Sequence, residues 1–200
     1  MTVEVRPMAA ADVEAVVRVH LAAFPGFFLS FLGPSFLREL YRAILADDEG
    51  IAFTARDGER VIGFVAGSGS AGFYRRAARR RWLRFGLASA GALLRRPSIA
   101  PRLLRALYAP PETSAGGALL MSLAVDPHSQ SRGAGKRLTA AFVAEARRRG
   151  AQAVVLTTDR MANDAVNAFY LAQGFTVTGN YTTREGRAMN EYVKLIDEVR

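Results

Sequence analysis

Two hundred residues, half of them hydrophobic, suffice for one domain with a proper core and leave too little for two. The chain contains no cysteine, which excludes a disulfide framework, a thiolate metal site and a cysteine nucleophile. The formal net charge of +9 is concentrated in a single stretch of the chain.

Met1 to Met8 lacks the basic and apolar segments of a signal peptide. Phe85 to Leu94, the longest uncharged run in the middle, falls short of the roughly 20 apolar residues that span a bilayer. A soluble, cytoplasmic protein is expected. Thr2 to Arg6 alternates as a strand does, and Pro7 ends it. Asp12 to Phe24 carries Val13, Val16, Val17, His20 and Leu21 at helical spacing, and Pro25-Gly26 breaks that helix. An aromatic stretch with Phe27, Phe28, Phe31 and Phe36 leads into a second amphipathic helix, Ser35 to Ala46. Ile51 to Arg56 and Arg60 to Ala66 read as strands joined by a hairpin turn at Asp57-Gly58.

Ala71 to Pro111 holds ten arginines and no acidic residue: Arg75, Arg76, Arg79, Arg80, Arg81, Arg84, Arg95, Arg96, Arg102 and Arg105. Removing those ten from the formal +9 leaves about −1, so the basicity is local. A helix over Phe73 to Ala88 would gather Tyr74, Ala78, Trp82 and Phe85 on one face and most arginines on the other. Its charged face is either solvated, drawn to an anionic membrane surface, or turned to a phosphorylated acceptor. Nucleic acid comes last, because no nucleic-acid-binding module signature is present. The Gly-rich flanks, Gly67 to Gly72 and Gly116-Gly117, read as hinges.

Ala118 to Val125 is apolar almost throughout, which predicts a central strand buried on both faces, ended by Asp126-Pro127. Past Gln130, Gly133 and Gly135, a helix pattern opens at Lys136 and runs to Arg149, capped by Gly150. The two glycines let successive backbone N–H groups converge at a helix N-terminus, an anion site, and Arg132, Lys136 and Arg137 add positive charge. A Walker A loop is excluded, since it needs Gly at Gln130 and Ser or Thr at Arg137. A dinucleotide fingerprint fails at Leu138, where its third glycine would stand. Spacing alone leaves an anion-binding loop or a plain tight strand-to-helix turn. Ala153 to Thr158 is the next strand, Asp159 to Asn163 a loop, and Asp164 to Gln173 a helix capped by Gly174. Phe175 to Thr183 and Ala188 to Leu195 form a closing hairpin.

The strand ending Val125-x-Pro127, followed by Gln130-x-x-Gly133-x-Gly135, resembles the acyl-CoA-binding loop of the GCN5-related N-acetyltransferase (GNAT) superfamily. A second signature of that family follows in the right order: Asn163, Tyr170 seven residues on, then Gly174-Phe175. The resemblance implies an α/β (α+β) fold whose mixed, mostly antiparallel sheet splays between Ala118 to Val125 and Ala153 to Thr158, flanked by helices. Residues 1–200 then form a single domain, with 71–111 an extra helical basic insertion within it.

The resemblance further implies acetyl-CoA as the acyl donor and no metal. Gln130, Ser131, Arg132, Gly133, Ala134, Gly135 and Lys136 would grip its pyrophosphate. The backbone of Leu123, Ala124 and Val125 would pair its amide-containing arm as a surrogate strand. Asn163 would orient the cofactor, with Asn167 joining it or facing solvent. A backbone N–H near Val125 would face the oxyanion. Tyr170 occupies the family's position for protonating the leaving thiolate, and a phenol of pKa about 10 can donate to a thiolate of pKa about 8.5.

In that family the segment between the first two helices borders the acceptor pocket, so the aromatic stretch is either core or pocket wall, with His20 at its edge. The buried strand lacks the Asp or Glu that many relatives carry there. Asp159, His20, Glu39, His128 and water remain as candidate bases. The expected reaction is direct attack of a primary amine on the thioester in a ternary complex. The expected acceptor is an anionic small molecule such as an amino sugar nucleotide or a lipid-linked sugar, and a homodimer is left open. The alternative is an adaptor that keeps the fold and docks on anionic membrane or nucleic acid through the arginine insertion.

Overall fold

The computed structural model describes residues 3–70, 72–101, 117–129 and 133–196. Arg102, Arg105 and the end of the insertion lie outside them, as do Gln130, Ser131 and Arg132. Strand β1 (Val3–Pro7) is followed by helices α1 (Val13–Ala23), α2 (Phe28–Leu32) and α3 (Pro34–Leu45). The hairpin of β2 (Gly50–Asp57) and β3 (Arg60–Ser68) leads to α4 (Phe73–Arg95) and then to β4 (Ala118–Val125). The chain closes with α5 (Ala134–Arg148), β5 (Ala153–Asp159), α6 (Asp164–Ala172), β6 (Thr176–Thr182) and β7 (Ala188–Leu195).

The seven strands form one sheet in the order β1-β2-β3-β4-β5-β7-β6. Every neighbouring pair is antiparallel except β4 and β5. Pro7 is tolerated within β1 because that strand is an edge. The hairpin turn is Gly58-Glu59, with Asp57 paired to Arg60 in the ladder, one residue beyond the expected Asp57-Gly58.

Each face of the sheet carries its own core. On one, Val16, Leu37, Tyr41 and Phe64 bury α1 and α3 against the strands, and Phe85 packs α4 onto α3 with its ring centroid 5.3 Å from that of Phe36. On the other, Leu138 and Phe142 of α5 pack with Ile62, Val65, Val154, Tyr170, Phe175 and Tyr192. Ala153, Val155 and Val193 of β5 and β7 form a third, smaller cluster apart from these two.

Three expectations need correction. The insertion is helical, but its helix runs on to Arg95 and is broken at Arg81, whose φ of −134° and ψ of 20° are not helical. Phe73 and Phe85, twelve residues apart, would lie about 120° apart around a regular helix. The break lets both be buried and turns Trp82 outward, away from the face expected for it. Arg76 ties the first turn down by donating to both oxygens of Asp47, at 3.0 and 3.2 Å. Gly67 is not a hinge: it lies in β3, and a Cβ there would come within 2.1 Å of the Leu119 carbonyl oxygen and 2.8 Å of the Phe142 ring. β4 is only half buried, since Leu119, Met121, Ser122, Leu123 and Val125 keep partial exposure.

Candidate active site

The half-burial of β4 has a structural origin. β4 pairs with β5 only at Ala118–Val154 and Leu119–Val155, after which the two strands separate. Met121 is the extra residue of a bulge against β3, where Ala66 faces Ser122 and Gly67 faces Leu120. A bulge bends and twists its strand. Here it falls two residues past the last β4–β5 pair, and the sheet opens there. β5 remains fully paired with β7 on its other edge, so the opening is a wedge between two otherwise intact half-sheets.

Alternation decides which β4 groups face the wedge. The Asp126 N–H donates to the Ile62 carbonyl at 2.8 Å, toward β3. In an antiparallel ladder the direction of the backbone groups alternates, so Ala124 also turns to β3, and Leu123 and Val125 turn to the wedge. Of the three residues expected to pair an extended ligand, Leu123 and Val125 have the geometry and Ala124 does not. Asp126, which the sequence marks as the end of the strand, also caps the turn that follows. Its carboxylate accepts the His128 N–H at 3.0 Å and pairs with Arg60, and these two partners hold it below the usual carboxylate range. The Asp-Pro signal of such a side-chain-capped turn was present in the sequence.

α5 begins close to the end of β4. Gly133 precedes it at φ 71°, the left-handed region that glycine enters without strain. The first intrahelical bond is from Arg137 N–H to the Gly133 carbonyl, which leaves the N–H groups of Ala134, Gly135 and Lys136 without helical acceptors. Gly135 has ordinary helical dihedrals, and its small size serves proximity instead. A Cβ there would lie 3.5 Å from the Phe169 ring and 3.9 Å from Val125. β4, α5 and α6 therefore meet at Gly135, and Phe169 is a participant that the sequence motifs did not mark. Lys136 is exposed beside this terminus, whereas Arg137 reaches away to donate to the Val3 carbonyl at 2.6 Å.

Asn163 sits just before α6 and donates from Nδ2 to Thr158 Oγ1 and to the Asp159 carbonyl, both at 2.9 Å. It thereby fixes the start of α6 to the end of β5. Asn167 is fully occupied: it donates to the Asp159 carbonyl at 3.2 Å and accepts from Tyr192 Oη at 2.9 Å. It neither faces solvent nor points into the wedge unengaged. Tyr170 is buried, with ring centroids of Phe169, Phe175 and Tyr192 at 5.2, 5.6 and 5.9 Å. Burial pushes its phenol up, so the hydroxyl keeps its proton well above neutral pH. Among the described residues nothing hydrogen-bonds that hydroxyl.

A cleft of about 640 Å³ adjoins the open end of the wedge through Asp159, the last residue of β5. Phe27, Phe28 and Phe31 line one side, and Arg96, Ser98 and Ile99 follow from the end of α4. Asp159 takes a bidentate pair from Arg187 at 3.0 and 2.6 Å, and the Arg187 guanidinium lies 5.2 Å over the Phe27 ring. The aromatic stretch thus divides: Phe36 is core, Phe24 and Phe28 lean on it, and Phe27 and Phe31 remain exposed at the cleft.

Of the candidate bases, only Asp159 lines this cleft. His20 is buried, with Nδ1 2.6 Å from Tyr41 Oη, and burial lowers it to about 4, so it is neutral. Tyr41 in turn bonds Ser122 on β4, which links the histidine to the sheet. Glu39 lies between Arg42 and Arg81, at 3.3 and 3.7 Å. His128 serves the turn after β4 through its backbone.

Residues 14–175 match the model of the acetyltransferase (GNAT) family. A search of curated proteins found no match. Solved structures are similar over the whole length. The ribosomal-protein-S18-alanine N-acetyltransferase from Escherichia coli is 15% identical, with a TM-score of 0.61 covering 100% of this chain and 97% of that one. Ard1 from Thermoplasma volcanium is 17% identical, with a TM-score of 0.63 and coverage of 99% and 100%. The PaiA N-acetyltransferase from Thermoplasma acidophilum, in complex with coenzyme A, is 17% identical with a TM-score of 0.59 and coverage of 96% and 98%. At such identities the likeness is one of fold.

Proposed function

The chain belongs to the acetyltransferase (GNAT) family, and from that premise we propose that it moves an acetyl group from acetyl-CoA to a primary amine, by direct attack while both substrates are bound. One observation carries this reading. The backbone edge at Leu123 and Val125, facing the wedge, runs into the N–H groups at the start of α5 that have no helical acceptor. An edge strand that lacks a partner accepts an extended amide chain, and a helix N-terminus accepts phosphate, so the pair suits the two ends of one donor. Gln130, Ser131 and Arg132 belong to the proposed grip and lie outside the described residues.

In the proposed reaction the amine nitrogen bonds to the thioester carbonyl carbon and the carbon–sulfur bond breaks. The Val125 N–H stabilises the oxyanion, the Tyr170 hydroxyl gives its proton to the sulfur, and the proton lost by the amine nitrogen returns through water to the phenolate, which leaves Tyr170 neutral again. The aromatic wall of Phe27 and Phe31 supports an acceptor with a stacking surface, and Arg96 beside it supports an anionic group on that acceptor, such as an amino sugar nucleotide or a lipid-linked amino sugar, with Asp159, which already holds Arg187, and Glu185 lining the same cleft.

Calorimetric titration with acetyl-CoA, no acceptor present, tests the donor half. Micromolar binding by the native chain and its loss in Gly135→Glu is the expected result. Absence of heat with the native chain would remove the donor site and the reaction with it. Nucleotide-linked amino sugars come first in the acceptor screen that follows.

A further inference from the structure

We propose that the outer face of α4 is a docking surface for an anionic lipid bilayer. Past the break at Arg81, the buried side of the helix is formed by Phe85, Ser89 and Ala92. Directly opposite, at about 100° per residue, Leu83, Leu87 and Leu94 fall within an arc of about 40°. These leucines are 58%, 78% and 84% exposed, and Trp82, which projects from the flank of the helix next to the break, is 62% exposed. A helix packed on a domain ordinarily turns a polar face outward. This one presents a second apolar ridge to solvent.

The charge around the ridge identifies its occupant. Arg79 and Arg84 are exposed and form no ion pair among the described residues, whereas Arg76 and Arg81 are held by Asp47 and Glu39. No acidic residue occurs anywhere in 71–111. Leucines at the crest with arginines on the flanks match the layering of a bilayer surface, acyl chains below and anionic headgroups at the level of the guanidinium groups. Exposed tryptophan favours that same boundary. A nucleic acid would meet leucines where it presents phosphates, and an acidic protein face would leave the arginines satisfied and the ridge unused. No helix among the described residues is long and apolar enough to cross a membrane, so the contact is peripheral.

Co-sedimentation with vesicles tests this without donor or acceptor. The native chain is expected to pellet with phosphatidylcholine vesicles containing roughly a third phosphatidylserine and to stay in solution with pure phosphatidylcholine, a distribution set by the charge term. Raised salt should release it. Arg79→Gln with Arg84→Gln should lower the partition coefficient about 30-fold, at about 1 kcal/mol per arginine. Leu87→Glu with Leu94→Glu should abolish pelleting while leaving the melting temperature and acetyl-CoA binding unchanged, since both side chains are exposed and neither lines the cleft. Failure of the native chain to bind anionic vesicles overturns the proposal. So does vesicle binding that survives the leucine changes and is competed away by duplex DNA, or a dimer in solution that those changes convert to monomer.

Discussion

Tyr170 and His20 are both buried rings, yet burial acts on them in opposite directions, because one ionises to an anion and the other to a cation. For Tyr170 the phenol is pushed up, which fixes a proton at the place where the proposed reaction releases a thiolate. Tyr170→Phe keeps the ring contacts and removes only that proton. Turnover is expected to fall about 100-fold with acetyl-CoA affinity unchanged, a split read by steady-state kinetics beside calorimetry. Undiminished turnover would assign the proton to another group. For His20 the ring is lowered to about 4 by desolvation, against 6.5 when unfolded. The unfolded chain therefore takes up a proton as pH falls through 6.5 while the folded chain refuses it until about 4. Stability present above 6.5 is lost across that window, by about 3 kcal/mol in all, and is flat below it. Urea midpoints at pH 7 and pH 5 should differ in the native chain and differ much less in His20→Gln, because the carboxylates whose pKa values the fold lowers, Glu145 at about 2 among them, titrate further down.

At the scale of the element, α5 separates folding from binding. Gly133→Ala forces a β-carbon into a left-handed conformation and should cost about 1 kcal/mol of stability, read as a lowered urea midpoint. Gly135→Ala places its Cβ at ordinary contact distance from Phe169 and should leave stability near native. Gly135→Glu puts a negative charge in the first turn, which the helix dipole favours, but its side chain is turned by Phe169 and Val125 toward the N–H groups where phosphate is proposed to sit. The native melting temperature should persist while acetyl-CoA binding disappears. These elements were legible in the sequence because their determinants are local: alternation for β1, the turn residues between β2 and β3, glycine at the start of α5, the Asn163-to-Phe175 spacing for α6. The break at Arg81 was not, since it arises from the need to bury Phe73 and Phe85 in one core cluster. Nor was the cleft, whose Phe27, Arg96, Asp159 and Arg187 come from four distant segments and meet only through the sheet order. The Asp57-Gly58 turn was displaced by one residue because Asp57 completes a ladder pair with Arg60.

On the scale of the whole molecule, the sheet is two half-sheets held by a short hinge. β1 to β4 form one continuous ladder and β5 to β7 another, and among the described residues the strand pairs Ala118–Val154 and Leu119–Val155 alone join them. A donor arm lying along Leu123 and Val125 would complete the edge that the bulge at Met121 opened and would touch both halves. The proposed function therefore carries a mechanical consequence besides catalysis: binding should stiffen the junction. Acetyl-CoA at a hundred times its Kd stabilises the folded chain by about 2.7 kcal/mol, which for a chain of this size raises Tm by roughly 5 to 10 °C. Any specific ligand would do that much. The alternation along β4 makes the test particular to this site. Amide exchange at Leu123 and Val125, which face the wedge, should be fast in the free protein and slow with acetyl-CoA, while Ala124, already bonded toward β3, should be protected in both states. Equal slowing of all three would mean a general tightening of the fold. Slowing confined to the two wedge-facing amides would locate the donor arm on β4 and make it the third bond between the half-sheets.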